Sequence, residues 1–107
     1  MSCPFVSLIQ DGRLTVVGAD RDLSRALVSL GGRRSVLRPS RVTFRFSGDA
    51  DLARVAVGLR DKGVAFAGGM GWPPSEVVAD LRAKGLLAGS IVEIVWLGPG
   101  KSLRREK

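Results

Sequence analysis

Two stretches of this chain, twenty-eight residues apart, carry one pattern, and that pattern limits the fold more than any other feature. SLIQDGRLT (residues 7–15) lies over SVLRPSRVT (residues 35–43). Ser, Arg and Thr coincide, three apolar positions are conservative exchanges, and Asp-Gly faces another turn pair, Pro-Ser. With one residue inserted, DRDLSRALVSL (20–30) lies over DADLARVAVGL (49–59), with six of eleven positions identical. Turn, cap and helix recurring in the same order predict a duplicated ββα unit.

The elements follow from local chemistry. Phe5–Gln10 is β-prone, Asp11-Gly12 is a hairpin signal, and Arg13–Val17 returns as a second strand. Asp20 is placed to cap a helix whose Leu23, Ala26, Leu27 and Leu30 share one face, and Gly31-Gly32 ends it. The second helix puts Leu52, Val55, Ala56 and Leu59 inward and stops at Gly63, before a short strand over 64–67. A third helix is expected over about 74–84 and a last strand over 91–97, whose two faces are both largely apolar apart from Glu93. Pro39 suits a wider turn rather than a tight primed hairpin.

The expectation is therefore an α+β fold with an antiparallel or mixed sheet and helices mainly on one face. From Arg13 to Ala67 the order is βαββαβ, that of a ferredoxin-like sandwich. An N-terminal strand, Phe5–Gln10, precedes it, and an αβ extension follows. Residues 1–100 read as a single compact domain and 101–107 as a basic, disordered tail. With few charges, Phe5–Gln10 reads as an exposed edge strand through which the chain could form a homodimer or meet a protein partner.

Composition removes several functions. There is no histidine, so the commonest general base and metal ligand are missing, and the single cysteine, Cys3, has no histidine to activate it. Nothing at ligand spacing supports a metal site, no cofactor is implied, and a binding protein is favoured over an enzyme. No apolar run reaches the length of a membrane span, and MSCPFVSLIQDG lacks the features of a signal peptide, so a cytoplasmic protein without membrane contact is expected.

Charge is the stronger clue. The net +7 is concentrated: residues 23–48 carry six arginines and no acid, and residues 101–107 add +3, while the other two stretches are each −1. Alternation in RVTFRF sends Val42, Phe44 and Phe46 inward and Arg41, Thr43 and Arg45 outward. Arg41 and Arg45 would then stand near Arg33, Arg34 and Arg38 as a phosphate-binding surface for DNA or RNA, with Lys101, Arg104 and Arg105 adding contacts from the tail. Phe44-Arg45-Phe46 has the F-x-F spacing of RNA recognition motifs, but the flanking glycine-rich consensus is missing and both rings fall on the core face. The same arginines also suit a solvated face that keeps a basic protein soluble.

The second candidate is FAGGMGWPPSEVV (66–78). It fits neither a Walker A loop nor a dinucleotide fingerprint, and its glycines precede a helix start that Pro73-Pro74 explains. Gly68, Gly69, Gly71 and Trp72 form a candidate ligand or partner loop, with Trp72 either a plug over the core or an exposed contact residue. A small-ligand site between the extension and the centre is the third reading.

Overall fold

Arg13–Val17 and Val42–Arg45 alternate in phase, and their pairing sets the register of the sheet. The computed structural model describes residues 4–38, 40–68, 73–98 and 101–106, with the side chains of 96–98 outside the description. The strands are β1 (Phe5–Gln10), β2 (Arg13–Val17), β3 (Arg33–Arg34), β4 (Val42–Arg45), β5 (Ala65–Gly68), β6 (Val92–Gly98) and β7 (Lys101–Glu106). The helices are α1 (Arg21–Ser29), α2 (Gly48–Asp61) and α3 (Pro74–Ala83). The result is an α+β fold with one mixed sheet in the order β3-β4-β2-β1-β5-β6-β7.

β1 and β2 form the expected hairpin. Asp11 and Gly12 take φ of 54° and 74°, as a two-residue primed turn requires. β2 pairs antiparallel with β4, setting Leu14 opposite Phe44 and Val16 opposite Val42. These four are buried and share one hydrophobic cluster with Leu27 of α1, Leu52, Val55 and Leu59 of α2, and Val78 and Leu81 of α3. All three helices therefore cover the same face of the sheet. α1 begins as its sequence predicts, with the Leu23 amide donating to Asp20 Oδ1 at 2.8 Å. Among the described residues no helix is long and apolar enough to cross a membrane.

Several expectations are corrected. The ferredoxin-like order would set β2 beside β5, but β1 lies between them, antiparallel to β2 and parallel to β5. β1 is thus interior rather than an edge, so dimerisation through its edge is not available. Its low charge reflects a strand whose two sides are both paired. The ββα order recurs, but the aligned repeat does not carry over to the first strand of its second copy. β3 is only two residues long, and Val36 and Leu37, which align with Leu8 and Ile9, project from the following turn at 95% and 92% exposure. The turn expected at Pro39 lies outside the described residues; beside it the Arg41 amide donates to the Arg38 carbonyl at 2.9 Å. Finally, 101–106 is not a loose tail. It forms β7, paired antiparallel along β6.

Candidate nucleic-acid interface

The residues alternating with the core positions of β2 and β4 build the site. Arg13 stands directly opposite Arg45, and Thr15 opposite Thr43. β3 adds Arg33 opposite Thr43, and β1 adds Gln10 opposite Arg13 and Leu8 opposite Thr15. The helices occupy the other face, so Arg13, Arg33, Arg41 and Arg45 are all exposed. Two shallow depressions meet on this surface at Arg13 and Thr43. One is lined by Arg33, Arg45 and Gly31, the other by Arg41, Thr15, Gln10 and Asp11.

Electrostatically the patch is uncompensated. Ion pairs among the described residues include Arg54–Asp51, Arg60–Asp61, Lys84–Asp49, Lys84–Asp80 and Arg105–Glu93. Among the described residues, no ion pair uses Arg13, Arg33, Arg34, Arg38, Arg41 or Arg45. Like charges directly opposite across two strands destabilise a sheet. The Arg13–Arg45 pair therefore opposes folding slightly and favours a multivalent anion. Asp11 borders the surface without reaching ion-pair distance of an arginine.

The other candidate residues are dispersed. Arg34 shares the register position of Val42, so it belongs to the helix side, where it lines a cleft with Asp20, Arg21 and Ser24. Arg38 is exposed at the hairpin turn, and Lys101 is exposed at the start of β7. Arg104 pairs with Ile94 and lies on the face away from the helices, but four strand spacings from β2, about 19 Å. Arg105 points the other way, its Nε donating to Glu93 Oε1 at 2.7 Å. Phe44 is buried and Phe46 packs partly buried against the core, so no ring of F-x-F is free to stack on a base.

Gly69, Gly71 and Trp72 lie outside the described residues. Gly68 ends β5 and is buried, but its surroundings are filled by the chain itself: a Cβ there would overlap Glu93 Oε2 and Ser75 Oγ. Ser75 Oγ donates to Glu93 Oε2 at 2.5 Å, and Glu93 is 1% exposed. This buried carboxylate was missed as a constellation, although a lone acid in an otherwise apolar strand was its signal. Its arginine partner becomes visible only once β6 and β7 are paired. Arg13 was missed because it belongs by sequence to an acidic stretch, and only the β2–β4 pairing brings it to Arg45. Among the described residues no three metal-ligating side chains converge.

Elsewhere the charges are ordinary surface chemistry. Asp51 accepts from the Ser47 amide and from Arg54, and these bonds, the backbone one first, hold its carboxyl below its ordinary value. Lys84, hydrogen-bonded to Asp80 and then Asp49, is held above the ordinary lysine value and ties the C-terminal end of α3 to the start of α2. The chain matches no protein-family model, and comparison with curated proteins and with solved structures finds no match.

Proposed function

We propose that the protein binds nucleic acid through the phosphate backbone, using the open face of β3-β4-β2-β1. The observation that carries this is the row Arg33–Arg45–Arg13, three exposed guanidinium groups on the sheet face opposite the helices, with no carboxylate partner among the described residues. Thr15, Thr43 and Gln10 between them supply hydroxyl and amide donors for phosphate oxygens. Among the described residues of β2, β3 and β4 no aromatic ring is exposed, which favours sequence-independent backbone contact over base stacking.

The test is fluorescence anisotropy with a short duplex and a single strand of mixed sequence, titrated between about 50 and 200 mM salt. Binding should weaken linearly in log–log form. The combined variant Arg13→Ser, Arg33→Ser, Arg45→Ser should lower the slope by about 0.9 per lost phosphate contact on duplex and about 0.7 on single strand. No binding by the natural chain at the lowest salt overturns the proposal, as does an unchanged slope in the triple variant.

A further inference from the structure

Val36 and Leu37 are the most exposed large apolar side chains among the described residues, at 95% and 92%, against 47% or less for the others. Their display is ordered. The Ser35 amide donates to the Arg41 carbonyl at 3.0 Å, and the Arg38 amide donates to Ser35 Oγ at 3.2 Å. These bonds, with the Arg41-to-Arg38 turn, bracket the apolar pair and hold it at the end of the hairpin instead of letting it fold back. Arg33 and Arg34 precede it and Arg38 and Arg41 follow it, all exposed and, among the described residues, none ion-paired.

A partner for this tip must offer two rails of negative charge with an apolar interior between them. A bilayer surface and a nucleic-acid groove both meet that description, but they differ in shape. The arginines continue from the tip down the hairpin, and Arg45 lies four residues beyond Arg41, about 13 Å along the strand. A plane touched by the tip leaves Arg45 and Arg13 in water. A groove entered by the tip has a phosphate wall on either side, about 7.5 Å deep in the minor groove, and these walls rise alongside the hairpin toward the Arg45 and Arg13 side chains.

Resting on the phosphate-binding reading above, we propose that the partner is duplex DNA and that the β3–β4 tip enters its minor groove. Leu37, with Val36 beside it, wedges into a base step and kinks the helix. Apolar side chains unstack a step in this way where arginines hold the flanking phosphates, and flexible pyrimidine–purine steps yield most readily.

The experiment uses a duplex of about 24 bp, end-labelled with a donor–acceptor pair and carrying a central TA step, bound to the full chain. Binding should raise transfer efficiency, corresponding to a kink of roughly 20–90°. Val36→Ser combined with Leu37→Ser should leave the salt slope intact and return transfer to that of the free duplex, while Leu37→Met should keep the bend. Both side chains are solvent-exposed, so neither variant removes core contacts. Duplex bound but unbent by the natural chain overturns the wedge alone, as does equal bending by the double-serine variant. A serine variant that instead loses co-sedimentation with phosphatidylserine vesicles, with DNA unbent throughout, assigns the tip to a membrane and overturns the proposal. No binding to any nucleic acid overturns the phosphate reading together with the wedge.

Discussion

Gly68 should tolerate no side chain, and the reason is Glu93. Its φ lies outside the left-handed region, so alanine meets no backbone strain there; the obstacle is purely one of space. An added methyl would sit 2.7 Å from Glu93 Cδ and overlap both oxygens of the Ser75–Glu93 hydrogen bond. Glu93 and Ser75 are 1% and 2% exposed, so neither can swing into solvent without moving a strand or a helix. Overpacking a tight site costs about 1–3 kcal/mol. Leaving a buried polar group unsatisfied adds about 1–3 kcal/mol. Gly68→Ala should therefore cost about 2–6 kcal/mol, a large part of the roughly 5–15 kcal/mol that holds a domain together. Urea unfolding followed by far-UV circular dichroism reads this as a lower midpoint at unchanged m. The same substitution made in a Ser75→Ala, Glu93→Ala background should cost less than about 1 kcal/mol, because both overlapping oxygens are then gone and the methyl fills vacated space, giving a coupling well outside additivity. A Gly68→Ala cost that is the same in both backgrounds would refute the packing argument.

Two further outcomes follow from surface charge. Arg45→Glu places opposite charges at the Arg13–Arg45 pair and should raise stability by about 0.2–1 kcal/mol in thermal unfolding while weakening nucleic-acid binding. Asp51 has a folded-state pKa depressed below its ordinary 3.8, so its contribution is present above that value and is lost as pH falls through the lower folded value. The difference in Tm between the natural chain and Asp51→Asn should accordingly shrink between about pH 5 and pH 2, and shrink further in salt because the pair is exposed.

Local chemistry made the elements legible. Asp11-Gly12, the Asp20 cap and the apolar faces of the helices each point to one structure, and the outward set Arg41, Thr43, Arg45 follows from period two alone. Pairing was not legible, because strand order depends on which edges meet and not on any residue within one strand. β1 shows this, since a strand with few charges fits an unprotected edge and an interior position between two strands equally well. β7 shows the reverse. Its sequence KSLRRE has the composition of a solvated tail, yet backbone bonding to β6 and the Arg105–Glu93 pair hold it in the sheet. The charge row was half visible for the same reason: Arg33 and Arg45 share a stretch of chain, whereas Arg13 joins them only across a strand pair.

The inserted β1 also explains why the sheet face away from the helices is divided as it is. On the side away from the helices, Ala65 and Ala67 of β5 and Ile94 of β6 are buried, while β3, β4 and β2 present arginine and threonine. β1 separates the two halves with Leu8 and Gln10, and it adds one more strand spacing, about 4.8 Å, between the cations and the apolar side. Cations held next to a buried apolar surface lose hydration, so distance from it lowers the cost of keeping them charged and unpaired. In the centre of such a sheet, a guanidinium row without carboxylates would be a liability. At the β3 end it is exposed, close to an edge of only two residues, and continuous with the arginines of the hairpin turn. The topology thus gathers the chain's excess charge into one corner that an extended polyanion can reach from the side.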